Sequence, residues 1–371
     1  MIKKILVVIL LLQVFAICAS AAEQDEFLQS QFEIIGADEL SSALPQDTAD
    51  YFDEYGIDMN VSEWANSLTA EDVFSHIWEF ITSGARAPLK SGALILSIIM
   101  ISAAVAAMEG ERNLAVTQYA TSLAAAAAVA LPLLSVITSA AKVMKGGAIF
   151  MSAFVPVFAA AIAASGGVVS AASMSTLLLG ATQTVSVISN FAVVPVMSGY
   201  MALSLASSVS EPLALSGICE TIKKTSFWVM SLISTVFIGI LSIQSVVNAT
   251  AETVSIKAAK FIVSSAVPVA GTAISEAITT VTASMGVLKT SVGIYGVAAV
   301  VIIFAPVLAE LLVWRVVLIF TSAIAEIFSE TKISKFLKSG DAVLSVLVGI
   351  LLLTSAMFII SLSVVLTVGK R

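Results

Sequence analysis

From residue 146 to residue 210 this chain carries no Asp, Glu, Lys or Arg. Water-facing protein surface needs charge at short intervals, and soluble domains are about a quarter charged. The chain of 371 residues is 12% charged and 58% hydrophobic, with a mean hydropathy of +1.03. That composition leaves no polar shell to cover a soluble core, so the solvent that suits it is lipid. Inside a bilayer, backbone polar groups must be satisfied within the protein. The expected fold is all-α, a polytopic α-helical membrane protein.

Other uncharged runs fit the same reading. Residues 92–108 and 114–141 are free of charge, and residues 225–251 and 342–369 each supply one further span. Residues 146–210 suffice for two tilted or three short spans. Residues 261–328 hold two or three more, interrupted by Glu276, Lys289, Glu310 and Arg315. About 20 apolar residues cross a hydrocarbon core at 1.5 Å per residue, so the expected count is seven to ten. Ala, Ser, Thr, Gly and Val dominate these runs over Leu and Phe. Small residues let helix backbones approach closely where lipid removes the hydrophobic drive, which predicts a tight bundle or an oligomer.

Residues 1–22 read as an export signal. Lys3 and Lys4 form its positive start, residues 5–17 its apolar stretch, and Ala19-Ser20-Ala21 a small-residue cleavage site. The alternative is an uncleaved anchor helix, and either one places residue 23 onward outside the cytoplasm. Cys18 lies at the end of this signal, but Ile17 stands where a lipidation motif needs a small residue. Cys219 is the only other cysteine, so the mature chain is expected to form no internal disulfide.

Residues 23–85 form a short acidic exported segment ahead of a membrane domain, residues 86–371. No Lys or Arg occurs between Lys4 and Arg86, while residues 23–79 carry fifteen Asp and Glu. The rest of the chain holds 18 basic and 10 acidic residues (25 less 15), a net of +8. This asymmetry follows the positive-inside rule. It also argues against binding nucleic acid through the exported part, where nothing could neutralise phosphate. Leu44-Pro45 and Tyr55-Gly56 are turn signals. Thr69 as N-cap with Asp72 at N3 suggests a capped helix start, after which Val73, Phe74, Ile77, Trp78 and Ile81 recur at helical spacing. That stripe either lies on the membrane or docks a partner, or it packs on its own segment.

The membrane domain reads as an internal duplication, with repeats at 142–224 and 257–338. Phe154-Val-Pro-Val157 aligns with Ala266-Val-Pro-Val269, and Val194-Pro-Val196 with Ala305-Pro-Val307. Lys142 and Lys145 precede one half, Lys257 and Lys260 the other. The prolines Pro156, Pro195, Pro268 and Pro306 are candidate helix breaks, since proline removes a hydrogen bond and broken helices are tolerated where they line a cavity or meet other helices. Matching Pro-interrupted segments in two halves are also what transporters place at a central site; plain packing kinks are the other reading. Glu276, Glu310 and Arg315 are candidate intramembrane polar residues. Ionisable groups in lipid face a cavity or a partner, or else sit at the interface. Glu310 and Arg315 are about 140° apart around a helix and cannot pair on one face, so each needs a partner elsewhere or an interfacial place. Trp314 beside Arg315 favours the interface.

The residues of the common catalytic schemes are missing. There is no phosphate-binding loop and no dinucleotide glycine pattern. The single histidine, His76, lies in the exported segment on the polar side of its helix and reads as a surface residue, and one His with one mature Cys argues against zinc or haem. The expectation is no catalytic residue, no metal and no cofactor.

The export signal, the acidic stretch with Ala43-Leu-Pro45 and Ala49-Asp-Tyr-Phe52, and the Ser/Ala-rich polytopic region with repeated Val-Pro-Val are together similar to the stage III sporulation protein AE family of endospore-forming bacteria. The likeness covers essentially the whole chain in architecture. It implies a role in a complex linking mother cell and forespore across two membranes, alongside other membrane proteins, ring proteins resembling secretion-system rings, and an ATPase acting in trans. The implied function is a non-enzymatic channel or export-platform subunit in the mother-cell membrane, its acidic segment facing the space between the membranes. The alternative is a stand-alone secondary transporter, which the repeat and the intramembrane charges support.

Overall fold

The structure, a computed structural model, describes residues 26–61, 64, 70–108, 114–188, 193–209, 216–266 and 271–367. The expected signal sequence, Thr69 and Pro268 lie outside the described residues. The described chain is helical and contains no strand. Its elements are α1 (Glu26–Ile34), a 3-10 turn (Ala37–Ala43), α2 (Gln46–Glu54), α3 (Ala70–Met108), α4 (Leu114–Ala164), α5 (Val168–Ile188), α6 (Val194–Val209), α7 (Ser216–Ala266), α8 (Gly271–Ile327) and α9 (Thr331–Thr367). Six helices among the described residues, all but α6 of the set α3 to α9, are long and apolar enough to cross a membrane. The chain is an all-α polytopic membrane protein.

Where the uncharged runs suggested seven to ten spans, the described residues form six such helices, two of them very long. Helix α4 has 51 residues and α8 has 57. At 1.5 Å per residue they are about 76 and about 85 Å long, more than twice the roughly 30 Å hydrocarbon core. The charges expected to mark chain reversals do not do so. Helix α4 passes unbroken through Lys142 and Lys145, both on its exposed side, and α8 through Lys289, Glu310 and Arg315. A lysine's long stem lets its ammonium reach polar surroundings without a break in the helix. Nor do the prolines all interrupt. Pro156 and Pro306 sit inside continuous helices, and Pro195 is the second residue of α6.

Helix α8 is the axis of the bundle. Helix α9 folds back along it in the most extensive interface of the molecule; Arg315 meets Asp341 at one level and Gly293 meets Leu366 at another. Helix α3 runs parallel to α8, with Gly84 beside Glu310, Gly92 beside Val317 and Ser102 beside Glu330. Helix α4 is antiparallel to it, with Gly147 against Phe304 and Gly296 against Phe154. The small residues do what lipid requires of them: a Cβ at Gly147 would lie 2.8 Å from the Phe304 ring, so glycine is what lets these backbones come together. Phe150, Phe154 and Phe158 stack along α4, with ring centroids 5.5 and 5.3 Å apart. The abundant hydroxyls are satisfied locally, as where Thr182 donates to the Leu178 carbonyl and Thr321 to that of Val317, both at 2.8 Å.

Two turns are closed by the same device. After α4, Gly166 takes φ 89° while its N–H donates to Ala163 and that of Gly167 to Ile162, each at 3.0 Å. After α8, Ser329 takes φ 61°, its N–H donating to Glu326 and that of Glu330 to Ala325. Both are Schellman motifs, but the second places a side chain where glycine belongs. Ser329→Gly is therefore expected to stabilise the protein by about 1 kcal/mol, read as a higher melting temperature in detergent. Gly296→Ala, which drives a methyl into the immobile Phe154 ring, should cost about 1–3 kcal/mol. A paired Phe154→Leu change should recover most of that loss.

Candidate functional site

The acidic segment folds onto the bundle as a thin layer. Phe32, Ala37, Leu40, Leu44 and Phe52 turn inward and join the main hydrophobic core, which leaves the carboxylates between them on the outer side. Pro45 packs over Gly146 on α4, with its Cγ 3.1 Å from where a Cβ would stand. Phe52 meets Tyr295 of α8 edge to face at 5.1 Å. Val61 and Trp64 close on Ile294. Trp64 is held in place by its indole N–H, which donates to the Asp58 carbonyl at 2.9 Å, and Asp58 accepts from the Asn60 N–H at 2.8 Å in a side-chain turn.

Between this layer and α8 lies a cleft of about 870 Å³. Its apolar wall is formed by Phe32, Leu44, Phe52 and Tyr295, and Glu33, Asp53 and Asp58 are among its polar members. An apolar floor with a carboxylate rim suits a segment that carries both an apolar anchor and a positive charge. The segment is pinned a second time, to the start of α3. Tyr51 on α2 and Tyr55, which caps its C-terminus, face His76 and Phe80, four apart on α3. Ring centroids are 4.4 Å apart for Tyr55 and His76 and 5.5 Å for Tyr51 and Phe80. The Tyr55 hydroxyl donates to Glu79 Oε2 at 3.2 Å. Burial, then Tyr55 and the Glu79 and Glu54 carboxylates, push the Tyr51 hydroxyl well above its ordinary range, so it stays protonated. His76 is thus half-buried between tyrosines and not a free surface residue. The stripe Ile77, Trp78 and Ile81 lies beside this contact, with Trp78 exposed.

The candidate intramembrane residues separate. Arg315 donates from Nε to Asp341 Oδ1 at 2.7 Å, across the α8–α9 interface. Asp341 lies well inside α9, not at a helix start. Trp314 is only 1% exposed and points into the core, so it marks no bilayer rim; it shares the inward stripe of Leu311 and Leu318. Glu310 packs its backbone on Gly84, and Glu276 lies in the second turn of α8. Of the four prolines, Pro156, Pro195 and Pro306 sit on three different helices. Two buried ionisable groups were not singled out by the sequence reading. Lys289 is buried in α8, and Glu330, in the α8–α9 turn, accepts from Ser102 of α3, which also bonds Thr121 of α4 at 3.0 Å. Only the tertiary fold reveals the burial of Glu330. Among the described residues no three His, Cys, Asp or Glu cluster as metal ligands would.

Phe52→Ala should remove about 3–5 kcal/mol of packing from the acidic layer, enough to release it. The expected result is faster proteolysis within residues 46–60 while the protection of α8 and α9 is unchanged. Arg315→Leu, which strands Asp341, should destabilise the bundle by about 1–3 kcal/mol. The double change Arg315→Leu with Asp341→Leu should be less damaging than the single one.

The family model for stage III sporulation protein AE matches residues 57–369. Stage III sporulation protein AE of Bacillus subtilis (strain 168) is 27% identical over 221 residues, an alignment that covers 60% of this chain and 55% of the relative. No solved structure matches. The family match takes in the cleft's floor at Tyr295, the Arg315–Asp341 pair and all six candidate spans, and on that extent the chain belongs to the stage III sporulation protein AE family.

Proposed function

We propose that this chain is a non-enzymatic membrane subunit of a secretion-like channel that joins mother cell and forespore during sporulation. It sits in the mother-cell membrane with residues 23–85 in the space between the two membranes. The observation that carries the reading is the acidic layer held on α4 and α8 by Pro45, Phe52, Val61 and Trp64. A solitary permease has no need of such a layer, whereas a subunit that must be found by ring proteins outside the cytoplasm does. Membership in a sporulation family gives the process. The likeness stated on sequence grounds gives the partners: ring proteins meeting the acidic layer, further membrane subunits against the bundle, and an ATPase acting from the cytoplasmic side. The duplicated halves, with Pro156 and Pro195 in one and Pro268 and Pro306 in the other, form the packing unit of this platform.

A second reading, a secondary transporter, draws on the Arg315–Asp341 pair and on buried Lys289 and Glu330. One experiment separates the two. In sporulating cells that carry a tagged full-length chain, replacing Phe52, Asp53 and Asp58 by Ala should abolish co-purification of the complex and cut spore yield by at least about tenfold, with the chain still present in the membrane. Replacing Arg315 and Asp341 together by Leu should leave assembly intact. The opposite pattern, normal assembly without the acidic cleft and failure without the ion pair, favours transport.

A further inference from the structure

We propose that the start of the exposed face of α7 is a binding site for an anionic phospholipid, which grips the headgroup phosphate with Lys223 and Lys224 and lays an acyl chain along the helix. The site does not depend on the channel reading; it rests only on the bundle being embedded in lipid.

Helix α7 contains a candidate span, Glu220–Asn248, whose most apolar window is only 17% buried in the molecule, the lowest share among the six candidate spans. A cavity of about 590 Å³ opens at its start, lined by Lys223, Lys224, Thr225, Phe227, Trp228 and Ser231. The Phe227 ring lies against Gly349 of α9, where a Cβ would stand 2.8 Å from the ring edge. Trp228 is 65% exposed, an aromatic at the head of an apolar run, as at a membrane interface.

The charge arrangement suits a phosphate. Glu220 pairs with Lys224 at 2.8 Å one turn away and also feels Lys223, so the three groups together keep a net charge of +1. Below the lysines, Trp228, Leu232, Val236, Ile240 and Ile243 are all exposed and follow one another at intervals of four, four, four and three. They form a single stripe about 22 Å long, longer than the roughly 15 Å half-thickness of a hydrocarbon core. A cationic head, a polar Thr225 beside it and an apolar stripe beneath match the order of phosphate, glycerol and acyl chain in a phospholipid. Free phosphate would use the lysines and leave the stripe unused, which is why a lipid is the occupant. Basic positions at a membrane face select anionic over zwitterionic headgroups.

The test uses the full chain in zwitterionic vesicles doped with a brominated phospholipid, either anionic or zwitterionic, with tryptophan quenching as the readout. The Trp228 component is the difference between the native chain and Trp228→Phe. The anionic brominated lipid should quench that component at a mole fraction roughly tenfold lower than the zwitterionic one. Lys223→Gln with Lys224→Gln should erase the difference, and Glu220→Gln, which frees Lys224, should widen it. Inorganic phosphate at millimolar concentration should not compete. Equal quenching by both lipids, or a preference untouched by the lysine changes, overturns the site. Competition by inorganic phosphate shows an anion site without lipid selectivity and also overturns it. A lysine-dependent gain in oligomer with no lipid preference assigns the lysines to an acidic surface of another chain and overturns it as well.

Discussion

Helices in lipid gain little from hiding apolar groups from one another, so what holds this bundle is how closely its backbones can approach. Helix α8 is where that condition is met most densely. Gly293 admits Leu366 of α9, Gly296 admits Phe154 of α4, and Gly147 on α4 admits Phe304 in return. Each notch takes a large side chain from a facing helix, so three helices are registered on one axis. The remaining contacts follow from that registration. Asp341 comes level with Arg315, Glu330 with Ser102, and Tyr295 faces the side where Phe52 arrives.

The acidic layer obeys a different rule, and the contrast explains its shape. It is too thin to hold a core of its own, so it borrows one, contributing Phe32, Leu40, Leu44 and Phe52 to the core of the bundle. Its carboxylates are left outward because there is no interior to accept them. The cleft is where the borrowing is incomplete: the layer supplies its rim and most of its apolar wall, and the bundle supplies Tyr295. Two clamps, Phe52 on Tyr295 and the Tyr51–Tyr55–His76–Phe80 cluster, fix α2 to α8 on one side and to the start of α3 on the other.

The sequence made the solvent legible and the path much less so. The uncharged run from 146 to 210 admits little besides membrane helices, and the acidic stretch ahead of Arg86 announced a separate segment. The continuity of α4 through Lys142 and Lys145 was hidden, because a lysine can end a span or snorkel from within a helix and looks the same in both cases. The partner of Arg315 was hidden for another reason: Asp341 lies 26 residues away, and only the α8–α9 fold-back joins them. Trp314 misled because tryptophan beside arginine is ordinary at an interface, yet here the helix turns one into the core and the other toward α9. The aromatic clamp was readable in principle, since Tyr51 and Tyr55, like His76 and Phe80, are spaced for one helical face. Nothing in the pattern said that those two faces meet. Of the second proline pair, Pro195 is the second residue of α6, whereas Pro306 lies mid-helix in α8.

Helix α8 is continuous from Tyr295, against the acidic layer, to Ile327, next to the Glu330–Ser102 contact, with one N–H donor missing at Pro306. A stretch of loop would dissipate a displacement applied at one end; an unbroken helical rod about 50 Å long conveys it. Pro306 is the one place in that stretch where the rod can flex. A displacement of the rod's Tyr295 end would reach the turn at Ser329 as tilt, and the Arg315–Asp341 pair ties α9 to the same rod.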